Sequence, residues 1–169
     1  MSTPPLRSRT ARLADRLLRN RRLVRAPIWL YRARLGFLFG HRLLMLEHRG
    51  RKTGARRYVV LEVVDHPAPG EYVVASGFGK RAQWLRNVMH DPQVRVYLGS
   101  RAPAAATATL LDPEQAGAVL RRYAARHPRA WQRLKPVFEQ TLGAPITEEG
   151  TSLPLVRLDI PTAPGPPPR

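Results

Sequence analysis

Gly50-Arg51-Lys52-Thr53-Gly54 lies between two apolar runs, residues 43–48 and 58–64, and together they predict a strand–turn–strand corner. The second run is rich in β-branched residues, which favour strands. Glycine allows the backbone to bend sharply and to approach a ligand closely, and two glycines bracket this turn. We therefore expect the corner to be the first connection of a sheet.

The same turn carries groups that bind anions. Arg51 offers a planar fork of donors that suits phosphate or carboxylate, and Lys52 adds a compact positive charge. Successive backbone N–H groups of such a turn can also form an anion-binding concavity. The turn predicts a phosphate site, and the alternative is a solvated basic hairpin turn. It is not a Walker A loop, which needs more residues between its glycines and a helix after its lysine.

The composition limits the class of protein. A chain of 169 residues predicts one domain with its own core. Because there is no cysteine, disulfides, thiolate zinc sites and cysteine nucleophiles are excluded. The formal net charge of +17 attracts polyanions such as nucleic acid, anionic lipid or acidic metabolites. The sequence predicts neither a signal peptide nor a transmembrane helix.

The N-terminal region predicts a basic helical arm over residues 1–34. Residues 6–25 have apolar positions at near-helical spacing with arginines on another side, and residues 28–39 are rich in aromatic and aliphatic side chains. This combination is typical of contact with an anionic membrane surface, here through residues 6–39. The alternative is a helix packed on the domain with its arginines in water. No helix-turn-helix, zinc-finger or RNP-type signature is present, so no specific nucleic-acid partner is expected.

The rest of the chain predicts an α+β domain over residues 35–160. Further strands are expected at residues 71–76, 94–98, 102–111 and 153–160, and helices at residues 82–90, 112–127 and 128–143. Because tight turns join most strands, the sheet should be mostly antiparallel and form a small barrel with the helices outside. Residues 161–169, mostly proline and glycine, predict a disordered tail.

A second basic turn, Gly77-Phe78-Gly79-Lys80-Arg81, follows the strand at residues 71–76. If the barrel brings the two turns to one edge, they form a cationic groove beside Trp84, the first large residue of the next helix. Such a groove suits an anionic cofactor with a flat ring. The alternative is that Trp84 and Val88 are core residues of an amphipathic helix.

Motifs for other catalytic chemistries are missing from the sequence. The histidines are scattered, with no pair at i, i+4 spacing, so no metal site is expected. Ser76 precedes a glycine, but no G-x-S-x-G motif surrounds it. A protein without a nucleophile, metal or acid–base pair of its own often takes its reactive group from a cofactor.

Three motifs, taken in order, resemble one family. Gly-Arg-Lys-Thr-Gly at 50–54 is followed by Val-Val-Ala-Ser-Gly-Phe-Gly at 73–79 and by Trp-Leu-Arg-Asn at 84–87, with Asp-Pro at 91–92 and a Val-x-Val strand behind them. Together they resemble the deazaflavin-dependent nitroreductase family, within the flavin and deazaflavin oxidoreductases of split β-barrel fold. The resemblance covers roughly residues 35–160.

The resemblance implies an oxidoreductase that uses reduced coenzyme F420, a deazaflavin with a phosphate and an oligoglutamate tail, as hydride donor to a hydrophobic acceptor. The residues implied on the phosphate or tail are Arg51, Lys52, Thr53, Gly54 and Arg57. Those implied along the ring and around the pocket are Ala75, Ser76, Gly77, Lys80, Trp84 and Asn87. Ser76 is the candidate catalytic residue near the transferred hydride, and FMN is the alternative cofactor.

The chain departs from this family on the substrate side. Family members that activate drugs carry several tyrosines on the late helices, whereas residues 127–131 here are His-Pro-Arg-Ala-Trp and the nearest tyrosine is Tyr123. The acceptor, quinone-like or a nitro compound, is therefore left open. The family's association with membranes implies a cytoplasmic protein, peripheral on the inner face of the plasma membrane. The alternatives are a non-catalytic carrier of flavin, haem or lipid on the same fold, and a polyanion-binding protein.

Overall fold

Six antiparallel strands close into a barrel in the spatial order β1-β2-β3-β6-β5-β4. The computed structural model describes residues 42–143, 145–146 and 151–161, without the side chains of Val137, Phe138 and Thr141. The strands are β1 (Leu43–Arg49), β2 (Arg56–Asp65), β3 (Glu71–Ala75), β4 (Gln93–Tyr97), β5 (Ala104–Leu110) and β6 (Leu155–Asp159). The predicted strands and the predicted α+β split-barrel fold are confirmed.

The β1–β2 hairpin sets the position of the first basic turn. Its register pairs Leu43 with Glu62 at one end and Arg49 with Arg56 at the other, so the turn lies at one end of the barrel. Side chains alternate across a strand, and Leu44 and Leu46 face the barrel interior. The next position on that face is His48, beside the turn.

Three α-helices of the described chain pack outside the strands: α1 (Gln83–His90), α2 (Pro113–Arg126) and α3 (Pro128–Leu142). Helix α2 begins with a capping box, in which Asp112 Oδ1 accepts from the Gln115 amide at 2.8 Å and Gln115 Oε1 accepts from the Asp112 amide at 3.3 Å. These three helices match the predicted segments. A short 3₁₀ helix, Gly79–Arg81, forms within the second basic turn and was not predicted.

Two apolar clusters hold the layers together. The first fills the barrel, where Leu46, Val74 and Val96 meet Leu85 and other side chains of α1. The second lies between the outer face of the barrel and α2, and includes Val73, Leu120, Tyr123 and Leu155. Helix α1 thus packs on the barrel interior, which fixes its first turn close to the two basic turns.

Two ion pairs of the buried Asp65 carboxylate attach α2 to the end of β2. The Asp65 carboxylate accepts from Arg122 Nη2 at 2.7 Å and from Arg126 Nη2 at 2.9 Å. Burial alone would raise the pKa of Asp65, but the hydrogen bonds and charges of the two arginines outweigh burial and hold this pKa below 3.8.

Several predictions concern segments outside the described residues. These are the arm at residues 1–34, its helix at residues 6–25, and the tail beyond residue 161. The start of the 35–160 domain also falls there and stays a prediction. Within the part of the chain that the structure describes, no helix is long and apolar enough to cross a membrane.

Candidate cofactor-binding site

The β1–β2 turn is closed by its own backbone. Gly50 O accepts from the Thr53 amide at 3.1 Å and from the Gly54 amide at 2.7 Å, while Gly50 N donates to Ala55 O at 2.9 Å. The predicted concavity of free N–H groups is therefore wrong for these amides, because the turn uses them itself. Anion binding at this turn has to come mainly from side chains.

Gly50 is required by the close approach of two polar side chains. A Cβ at this position would lie 2.9 Å from Arg57 Nε and 3.2 Å from Thr53 Oγ1. Real Cβ atoms avoid such distances, so Arg57 can lie across the turn only because residue 50 has no side chain. The glycine therefore brings the guanidinium of Arg57 and the hydroxyl of Thr53 together over one point of the turn.

Arg51 connects the first basic turn to α1. Its Nη1 donates to Gln83 Oε1 at 3.0 Å and to Asn87 Oδ1 at 3.0 Å, and its backbone N donates to Asn87 Oδ1 at 3.2 Å. Gln83 follows the second basic turn by two positions. The structure therefore brings the two turns to the same end of the barrel, which is the condition on which the cationic groove depended.

The second basic turn is ordered around Ser76. This serine is fully buried, its amide donates to Pro154 O at 2.9 Å, and its hydroxyl donates to Gly79 O at 2.9 Å. Gly79 has a φ of 59°, and a Cβ there would lie 2.9 Å from Leu142 Cδ2 at the end of α3. This arrangement gives Ser76 a role in shaping the turn and argues against its direct contact with a reacting atom.

Three predicted pocket residues differ in their surroundings. Trp84 is 8% exposed within the barrel core, which confirms the core alternative, and its contact with a cofactor stays a prediction. Asn87 is buried and contributes through its contacts with Arg51. Lys80 is exposed on the 3₁₀ helix, next to the groove.

The sequence reasoning missed two residues of this site, His48 and Gln83. Asn87 Nδ2 lies 3.2 Å from His48 Nδ1, and both side chains are buried. Burial lowers the pKa of His48 below its usual 6.5, and the charge of Arg57 acts in the same direction, partly opposed by a backbone hydrogen bond at Arg49. Period-two alternation along β1 was the signal for His48, and the i, i+4 spacing to Asn87 was the signal for Gln83.

The donor set fits a polyanionic cofactor. Guanidinium, ammonium and hydroxyl groups surround the turn, and these pair with phosphate and carboxylate. Across the described segments, no acidic side chain forms an ion pair with Lys52, Arg57 or Lys80. The positive charge of this end of the barrel therefore remains available to a ligand.

The fold and this donor set define a split-barrel protein that binds an anionic cofactor. The model of the family described as F420H(2)-dependent quinone reductase matches residues 23–136, which is more than half of the chain. The chain therefore belongs to this family. It is an F420-dependent oxidoreductase, which uses reduced coenzyme F420 as hydride donor to a hydrophobic acceptor.

Solved structures agree on the fold. A structure titled F420-H2 Dependent Reductase (FDR-A) has 20% identity and a TM-score of 0.50, and the match covers 70% of this chain and 94% of that one. A protein of unknown function, Atu2129 from Agrobacterium tumefaciens, has 19% identity and a TM-score of 0.52, covering 80% of this chain and 55% of that one. At these identities the likeness is one of fold. A comparison with curated proteins gave no match.

Proposed function

We propose that the two basic turns hold the phosphate and oligoglutamate tail of coenzyme F420, and that the acceptor is a quinone entering beside Phe78. The observation that carries the proposal is the hydrogen bonding of the Arg51 guanidinium. Its Nη1 is held by Gln83 and Asn87, while Nε and Nη2 have no protein partner among the described residues. These two nitrogens form one edge of the guanidinium, which can donate two parallel hydrogen bonds to a phosphate or carboxylate.

The neighbouring cations extend this edge into a binding surface for the acidic tail. Lys52 is exposed on this turn, Arg57 is exposed at the start of β2, and Lys80 is exposed on the 3₁₀ helix beside them. Thr53 Oγ1 accepts from the Ala55 amide at 3.4 Å, and its own hydroxyl hydrogen can still donate to a phosphate oxygen. Several cations without acidic partners suit a ligand with several carboxylates.

The segment from Ala75 to Gly77 supports the ring. Ala75 and Gly77 are partly exposed on either side of the buried Ser76. Small side chains allow a flat ring to approach the backbone closely. When bound, reduced F420 supplies the hydride, and the protein contributes orientation and charge complementarity. In this proposal Ser76 keeps the turn in shape through Gly79.

A quinone is favoured over a nitro compound on the acceptor side. Phe78 is 70% exposed on the second basic turn, whereas Tyr123 is buried and donates its hydroxyl to Glu62 Oε1 at 3.2 Å. Tyr123 is therefore turned away from any substrate, and α2 and α3 offer no exposed tyrosine among the described residues. An exposed phenyl ring suits a flat apolar acceptor by stacking.

A quinone dissolved in a bilayer would have to be reached at the membrane surface. Residues 6–39 combine arginines with apolar and aromatic residues, which supports peripheral contact with an anionic membrane on its cytoplasmic face. Deletion of residues 1–25 is expected to reduce sedimentation with anionic liposomes. Equal sedimentation of the full and shortened chains would contradict this part of the proposal.

The test of the cofactor site is a fluorescence titration with F420, with FMN in parallel. The Arg51→Ala/Lys52→Ala double variant should bind F420 roughly tenfold or more weakly, equivalent to at least about 1.4 kcal/mol. Wild-type protein should bind F420 in preference to FMN, because the acidic tail adds contacts that FMN lacks.

The matched control is Arg129→Ala/Arg133→Ala, which removes two exposed positive charges from α3. It changes the net charge by the same amount but leaves both turns intact, so its F420 affinity should stay close to that of the wild type. Equal losses in the two double variants would mean that net charge, and not the turn, attracts the cofactor.

A further inference from the structure

We propose that His48 is a positioning residue of the cofactor site, which holds the Arg51 guanidinium in its binding orientation through Asn87. The inference rests on the proposed role of Arg51 as a ligand of F420. His48 lies on the inner face of β1 and is 4% exposed, so it acts through its neighbour and not on the cofactor directly.

The orientation of the Asn87 amide follows from its two partners in Arg51. The backbone N of Arg51, at 3.2 Å, and its Nη1, at 3.0 Å, are both donors, so the atom that meets them must be the amide oxygen of Asn87. The amino group of Asn87 then faces His48 Nδ1 at 3.2 Å. The network thus assigns both the amide orientation and the direction of each hydrogen bond.

This chain of contacts requires an unprotonated Nδ1 on His48. The Asn87 amino group can only donate, so Nδ1 must accept, which places the proton of the neutral imidazole on Nε2. A protonated His48 would set two donors against each other. Asn87 would then have to lose this contact or rotate its amide, and rotation would turn its amino group toward the two donors of Arg51.

The surroundings of His48 favour the neutral ring. Burial disfavours the charged form, and most nearby charges are positive. Helix α1 faces His48 with the uncharged amide of Asn87. The charged groups nearest to it on the surrounding elements are Arg56 and Arg57 on β2, Arg51 in the turn, Arg95 on β4, and Glu47 and Arg49 on its own strand. Glu47 is on the opposite face of β1, where it accepts from the Tyr97 hydroxyl at 2.5 Å.

The first arm of the test uses ligand-free protein, so it does not depend on cofactor binding. Nitrogen-15 NMR of the imidazole should show the Nε2–H tautomer of His48 at neutral pH. The backbone amide of Arg51 should shift as His48 is protonated at acidic pH. A protonated Nδ1 at neutral pH, or an Arg51 amide signal that does not shift as His48 is protonated, would overturn the proposal.

The second arm compares two substitutions in F420 titrations. His48→Gln retains an acceptor that does not titrate, so its affinity should stay within about twofold of the wild type. His48→Leu leaves the buried Asn87 amino group without an acceptor and should weaken binding by roughly an order of magnitude. The wild type should also lose affinity as the pH falls through the lowered pKa of His48, whereas His48→Gln should not show this loss. Titration of the ligand itself affects both proteins equally, so it does not account for the difference.

His66→Gln is the matched histidine control, because His66 is exposed beyond the end of β2, away from both turns. A double-mutant cycle between His48→Leu and Arg51→Ala completes the test. If His48 acts through Arg51, the two losses will be smaller in combination than their sum. Additive losses would overturn the proposed path. Unchanged F420 affinity in Arg51→Ala would instead refute the cofactor assignment, while the NMR arm would still decide the role of His48.

Discussion

Gly50 leaves room for Arg57 at the proposed cofactor site because it has no Cβ. We predict that Gly50→Ala folds but binds F420 several-fold more weakly, because the new Cβ would displace Arg57 Nε from 2.9 Å. Arg57 is exposed and flexible, so the cost in unfolding free energy should stay below about 1 kcal/mol. Thermal unfolding and an F420 titration of the same preparation measure both effects.

Gly99→Ala is the control for Gly50→Ala, because it should affect stability and not F420 affinity. Gly99 has a φ of 55° with open space around it, at the other end of the barrel. A side chain in this backbone conformation costs about 1–2 kcal/mol, so stability should fall while F420 affinity stays unchanged. If Gly50→Ala also lost stability and kept its affinity, Arg57 would not be part of the cofactor site.

Phe78 is the residue that we expect to decide acceptor affinity. A phenyl ring that is 70% exposed buries little area in the protein itself, so its truncation should not lower stability. Phe78→Ala should raise KM for an apolar quinone several-fold and leave F420 affinity unchanged, because in the proposed arrangement the ring contacts the acceptor and not F420. Met89→Ala, which removes an apolar side chain that is 60% exposed on α1, is the control and should leave KM unchanged.

The Asp65 carboxylate adds two ion pairs to the apolar contacts that attach α2 to the barrel. Asp65→Asn would keep the shape of this side chain but remove the charge that Arg122 and Arg126 share. Because the arginines are about half exposed and can be rehydrated, we expect a loss of about 1–3 kcal/mol in the free energy of unfolding. Denaturant unfolding measures this loss. Asp159→Asn, which breaks a more exposed pair with Arg157, should cost less than about 1 kcal/mol.

The same carboxylate predicts an acid limit to stability. The folded-state pKa of Asp65 lies below its usual 3.8, so the unfolded chain takes up the proton first as the pH falls. The contribution of Asp65 is therefore complete well above pH 3.8 and is lost as the pH falls through the folded-state pKa. Asp65→Asn should lack this part of the acid dependence, and parallel acid-unfolding curves for the two proteins would contradict the assignment.

The salt dependence of binding distinguishes attraction to the net charge of the chain from binding at the cofactor site. With a net charge of +17, the protein should bind duplex DNA weakly, and the logarithm of that affinity should fall steeply with the logarithm of salt concentration. F420 binding should fall less steeply, since it uses oriented donors and ring contacts besides charge. Titrations with F420 and with a duplex at several salt concentrations measure both slopes. Equal slopes would favour the polyanion-binding alternative.

Most of the barrel was predictable because its signals are local. Apolar runs, the second rich in β-branched residues, defined β1 and β2, and Asp112 with Pro113 marked the start of α2. The glycine and lysine positions of the two turns indicated an anionic ligand, and the order of three motifs indicated the family. These features depend on neighbours along the chain, which the sequence displays directly.

The sequence by itself therefore determined the strand order of the first hairpin, the helices, the charge of the turns and the family. Only the tertiary structure decided that Trp84 belongs to the core, that the turn uses its own amides, and that Ser76 is enclosed. It also decided that His48 and Asn87, far apart in sequence, meet beside Arg51. The physical reason is that burial and hydrogen-bond partners depend on barrel closure, which brings distant segments within contact distance.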